Sequence, residues 1–143
     1  MNTYALPPLL PRDKHDTHAA AALVALGWDR VECVAPQMLE WMQDSNWPVA
    51  AVLRPFLLAQ GARLAPYIKP IFATADDVWK YFILAGIVRP SPELASVLGA
   101  ELARMASHPT AGERLEGVAA QARDILAADS GRQHHPAAGI ELN

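Results

Sequence analysis

Asp13-Lys14-His15-Asp16-Thr17-His18 sets two imidazoles three residues apart, among carboxylates and an amine. That spacing admits two kinds of chemistry. His15 and His18 could ligate a metal, but a zinc site takes three or four converging ligands, so a distant side chain such as Asp44 would have to complete it. Alternatively, Lys14, His15, Asp44 and Asp77 could gather as the ionisable groups of a small enzyme, with or without a metal. The plainer reading is structural. Asp13 or Asp16 caps the first helix, and Lys14 pairs with Asp44 or Asp77, tying the start of the chain to later helices.

A second pattern is Asp-x-x-Trp, found as Asp44-Ser-Asn-Trp47 and again as Asp76-Asp-Val-Trp79, the tryptophans 32 residues apart. Each copy precedes an apolar run. In one reading Trp47 and Trp79 plug the gaps between helices, and the aspartates cap helices or accept an indole N–H. In the other, the two turns align along one rim. Lys14, His15, Asp16, Asp44, Asn46, Trp47, Asp76, Asp77, Trp79 and Lys80 then line a groove, where tryptophan beside charge makes an anchor for a partner.

Other chemistries lack their residues. No serine sits in a Gly-x-Ser-x-Gly elbow, and the 8 glycines form no phosphate loop. Asp76 and Asp77 are adjacent and would point apart on a helix. Cys33, the single cysteine, lies in Val-Glu-Cys-Val-Ala-Pro and reads as a buried, inert thiol. No catalytic set is complete and no cofactor is implied.

What must position these residues is helical. Leu64, Tyr67, Ile68, Ile71 and Phe72 fall on one stripe. So do Leu94, Val97, Leu98, Leu102 and Met105, and again Leu115, Val118, Ala119, Ala122, Ile125 and Leu126. No strand-like alternation is sustained. Thr110 with Glu113 forms a capping box, Ser91-Pro92-Glu93 is a helix start, and Gly27 and Gly61 read as terminators. The periods predict helices near 16–27, 35–44, 47–60, 63–73, 77–88, 92–107 and 111–128. Pro55 and Pro70 should kink or break theirs. The segment 77–88 is apolar on two stripes and should be central. Residues 1–128 form one domain, and 129–143 read as a flexible C-terminal tail. Short connections force antiparallel neighbours, and a spacing of 32 suits one two-helix unit of a solenoid.

Charge bounds the partners. The chain carries 12 basic and 15 acidic side chains in 143 residues, net charge −3, with no basic cluster to displace counterions from nucleic acid. No apolar run approaches the ~20 residues of a membrane span, and the start has no secretory pattern. A cytoplasmic protein that touches neither nucleic acid nor membrane is expected.

Pro11-Arg-Asp-Lys-His-Asp16, Trp41-Met-Gln-Asp-Ser-Asn-Trp-Pro-Val-Ala50 and Asp76-Asp-Val-Trp-Lys-Tyr81 together resemble a family of small bacterial proteins known as a domain of unknown function. The likeness covers about residues 6–105. It implies a short HEAT-like helical repeat, and with the helical periods above the expected fold is an all-α, right-handed superhelix (solenoid) of about three hairpins, six to seven helices. It implies no activity. Several small helical-repeat proteins of this general kind are encoded beside secreted bacterial toxins and neutralise them, which suggests immunity by analogy. The expectation is therefore a non-enzymatic module that binds another protein, with a small enzyme at Lys14, His15, Asp44 and Asp77 as the alternative.

Overall fold

The computed structural model describes the backbone of residues 10–141 and the side chains of residues 10–131. Every regular element among them is helical: α1 (Thr17–Leu26), α2 (Trp28–Val31), α3 (Ala35–Glu40), α4 (Pro48–Leu58), α5 (Ala65–Phe72), α6 (Asp77–Ile83), α7 (Pro92–Val97), α8 (Gly99–Ser107), α9 (Ala111–Leu115) and α10 (Val118–Glu141). Tighter 3₁₀ turns at Glu32–Val34, Trp41–Gln43 and Gly61–Leu64 extend or connect them, and a π-turn at Leu84–Val88 continues α6. The predicted helices therefore exist but are subdivided, so the segments outnumber the six or seven expected. The run 92–107 breaks at Leu98, and 111–128 breaks at Glu116-Gly117.

Helix starts follow local chemistry. Asp16 caps α1 by accepting from the Ala19 N–H, Asp76 caps α6 by accepting from that of Trp79, and Ser91 caps α7 through Leu94. At α9 both halves of the capping box are made. Gly27 takes a φ of 86° and Gly61 one of 58°, a region glycine enters without strain, and α1 and α4 end beside them. Pro55 and Pro70 sit near the C-terminal ends of α4 and α5, and the helices run through both rather than breaking.

The short helix α2 and the 3₁₀ turn after it carry no long period, and nothing in the apolar spacing announces them. They also correct one reading. Cys33 is exposed, because a three-residue turn brings Val31 and Val34 inward together and leaves Cys33 on the outside. Beyond residue 128, in the segment read as a flexible tail, the backbone continues as helix to Glu141. Extending a formed helix adds one hydrogen bond for each residue fixed and requires no apolar period. Residues 142–143 lie outside the described residues, as do the side chains of His134 and His135.

Packing brings together helices that are distant in sequence. α1 lies on α4, α4 on the π-turn, and α6 with the π-turn on α10. In addition, α3 lies on α5, Gly61–Leu64 on α7, and α8 on α10. The segment 77–88 touches Trp41–Gln43, α4, α5, α7 and α10. Leu23, Met38, Leu39, Leu53, Leu57, Leu64, Ile68, Ile83, Leu84, Ile87, Leu94 and Leu98 are the largest side chains fully withdrawn from water. Val97 and Leu115, assigned to apolar stripes by spacing, are exposed, since each closes a helix segment that ends early.

Candidate functional site

The start of the chain is held by its backbone. The Lys14 carbonyl accepts from the Val49 N–H at 3.0 Å, which docks residues 10–16 on the first turn of α4. Lys14 and His15 themselves are exposed, and the His15 N–H donates to Asp13 Oδ1 at 2.9 Å. Asp16 accepts from the N–H groups of Arg12 and Ala19, and these bonds hold its carboxyl below the usual range. Neither expected partner receives the Lys14 amine. Asp44 Oδ1 takes the Asn46 N–H at 2.8 Å, and Asp77 pairs with Lys80. Among the described residues no three His, Cys, Asp or Glu side chains gather into a group able to hold a metal.

The two Asp-x-x-Trp copies are not structurally equivalent. Asp76 is itself a helix cap, and Trp79 stands in the first turn of α6. Asp44 closes a turn before the helix, and Trp47 occupies the cap position of α4 with no capping side chain. Trp47 packs edge-on against Trp41, ring centres 5.8 Å apart. Trp79 instead crosses to α3 and donates its indole N–H to the Leu39 carbonyl at 2.9 Å. Asn46 and Asp76 are exposed; Asp44, Trp47, Asp77 and Trp79 are half-buried.

Lys80 is the largest departure from the expected rim. Its residue is 2 % exposed. The buried side chains of 77–88 are Lys80, Ile83, Leu84, Ile87 and Val88, so Lys80 holds the first place of an i, i+3, i+4, i+7, i+8 stripe. Its ammonium donates to Glu113 Oε2 at 2.9 Å and lies 2.9 Å from Asp77 Oδ1. The Asp77 contact has ion-pair distance but poor hydrogen-bond direction, so charge rather than a directed donor satisfies that oxygen. Arg104 grips Glu113 with two N–H groups, each at 2.7 Å, and the Thr110 N–H adds a third donor at 2.9 Å. Arg104 above all, then Lys80, holds the Glu113 carboxyl down at about 2 although burial opposes ionisation. The same carboxylate raises the Arg104 pKa. Two cations and two carboxylates thus tie α6, α8 and α9 together. Asp77 Oδ2 presses so closely on Gly112 that a β-carbon there would collide with it. Glu113 was legible as a cap from the Thr-x-x-Glu spacing; its burial was not, and Arg104 carried no local signal.

A groove of about 300 Å³ opens between α3 and α5 and ends at α6. Pro36, Glu40, Pro66, Tyr67, Pro70, Ile71, Thr74 and Trp79 line it. Of the ten residues expected along a rim, Trp79 alone belongs to this lining; Trp47 does not. Tyr67 donates to Glu32 Oε2 at 2.6 Å, and that carboxylate pushes the phenol pKa above its ordinary value. Trp28 meets Tyr67 edge-on at 6.1 Å, and the Arg63 guanidinium sits 6.0 Å from the centre of the Trp28 ring, so the aromatic wall is braced from behind. Tyr67 is visible in sequence as a stripe member, but Pro36 and Pro66 carry no such mark, and nothing shows that the three share a cleft.

No described helix is long and apolar enough to cross a membrane. No curated protein matches the chain. Residues 9–126 match a family described as a domain of unknown function, DUF5071, and that span, most of the chain, makes the protein a member of this family.

Proposed function

We propose that this chain is a non-enzymatic protein-binding module, a short HEAT-like superhelix of about three helical hairpins, and that immunity toward a bacterial toxin is its most concrete role. Support for the superhelix comes from the order of packing. α1, α4, the 77–88 segment and α10 touch in succession, while α3 with α5 and Gly61–Leu64 with α7 form a second row. Stacked hairpins produce that neighbour pattern, and their open faces bind partners.

The observation that carries the binding reading is the α3–α5 groove, where Tyr67 and Trp79 stand among three prolines beside the Glu40 carboxylate. Aromatic surface next to charge is the usual make-up of an interface anchor. Affinity capture from the native host, paired with co-expression of the product of a neighbouring gene, tests the reading. A specific captured protein and restored growth are the expected results. Recovery of no specific protein, with growth still arrested, would sink it.

A further inference from the structure

The groove between α3 and α5 has an unusual polar balance. Pro36, Pro66 and Pro70 have no N–H to offer. The Tyr67 hydroxyl is given to Glu32, the Trp79 indole N–H to Leu39, and the Thr74 hydroxyl to the Ile71 carbonyl. Every side-chain donor among the lining residues is therefore already committed. The acceptors are less committed: Thr74 Oγ1 takes the Asp76 N–H at 3.2 Å, but others are spare. Glu40 is exposed, and its carboxylate makes no hydrogen bond or ion pair with any described residue. Pro70 cannot donate to the Pro66 carbonyl, so α5 keeps a main-chain acceptor without its usual helical partner.

A surface with spare acceptors, spent donors and aromatic walls is complementary to one chemistry: a cation that carries N–H donors on an apolar stem. Resting on the protein-binding reading above, we infer that the groove seats an arginine side chain of the partner protein. The guanidinium is planar and rich in donors. It pairs with Glu40 while lying against Tyr67 or Trp79, an arrangement the more strongly hydrated lysine ammonium matches less well. A volume of about 300 Å³ lies at the small end of ligand sites, the scale of one side chain rather than a whole cofactor. The net charge of −3 favours a basic partner from a distance as well.

The test uses two blocked tripeptides, acetyl-Gly-Arg-Gly-amide and its citrulline counterpart, the latter matching arginine in shape without its charge. Each is titrated into the full chain while the Trp79 indole resonance is followed by NMR, and the titrations are repeated with Glu40→Gln. The arginine peptide is expected to bind about three- to tenfold more tightly than the citrulline peptide, as an exposed ion pair plus a cation–π contact would give. Glu40→Gln should abolish that preference and leave the folded spectrum unchanged. Equal binding of the two peptides, a preference that survives Glu40→Gln, or no movement of the Trp79 resonance overturns the assignment. A host protein captured equally well by wild type and Glu40→Gln also overturns it, and leaves the broader protein-binding reading intact.

Discussion

Lys80 and Glu113, on α6 and α9, meet at 2.9 Å with both side chains almost completely removed from water. Lys80 also faces Asp77, and Glu113 also receives Arg104 and the Thr110 N–H. Removing two such charges from water costs several kcal/mol each, so the arrangement is stable only while the partners remain.

Breaking it from the carboxylate side should therefore be severe. Glu113→Gln leaves Lys80 buried beside Asp77 alone and is expected to cost about 3–5 kcal/mol. Lys80→Met should cost less, since Glu113 keeps both Arg104 bonds and the Thr110 N–H. Urea denaturation of the two variants checks the order; Lys80→Met being the worse of the two would count against the network as described.

The same carboxylate dictates a pH response. Its pKa in the folded chain, about 2, lies below its ordinary 4.5. Below 4.5 the unfolded chain takes up the proton first, so the stabilisation is complete above about 4.5 and declines as pH falls toward 2. The stability gap between wild type and Glu113→Gln should be constant from pH 7 to 5 and narrow below that. Denaturation midpoints at stepped pH measure it, and a gap that widens with acid contradicts the assignment.

Gly112→Ala should destabilise although alanine is the better helix former. The new methyl group runs into Asp77 Oδ2, an overpacking penalty of about 1–3 kcal/mol against a propensity gain of about 1 kcal/mol. Adding Asp77→Ala removes the obstacle. The double variant should then melt higher than the sum of the two single effects implies, and strict additivity in Tm would show that the two residues do not touch.

The two Asp-x-x-Trp copies provide an internal comparison. Asp76→Ala deletes the cap of α6 and should cost about 1 kcal/mol. Asp44→Ala loses only a turn bond to the Asn46 N–H and should cost about 0.5 kcal/mol, at the weak end for one hydrogen bond. Equal losses in chemical denaturation would restore the equivalence that the sequence suggests.

How much of this was readable beforehand depends on range. Stripes such as Leu64, Ile68, Ile71 and Phe72 and caps such as Asp16 and Thr110 are decided within one or two turns, and they appear in the structure as their spacing implies. Cys33 and α2 escaped because a turn of three or four residues is too short to show a period. Lys80 escaped for a different reason. A lysine on an apolar stripe looks like a surface residue until Glu113, 33 positions away, is known to meet it. The groove is hidden in the same way: Pro36 and Glu40 share it with Tyr67 and Trp79 only because α3 lies against α5. Nothing local encodes that juxtaposition.

Hydrogen–deuterium exchange on the protein, alone and with the host protein it captures, tests the recognition surface most directly. Slower exchange concentrated in α3 and α5, Ala35–Glu40 and Ala65–Phe72, is the predicted outcome. Unchanged exchange in those two helices, with protection appearing elsewhere on the molecule, would contradict the groove as the place where the partner sits.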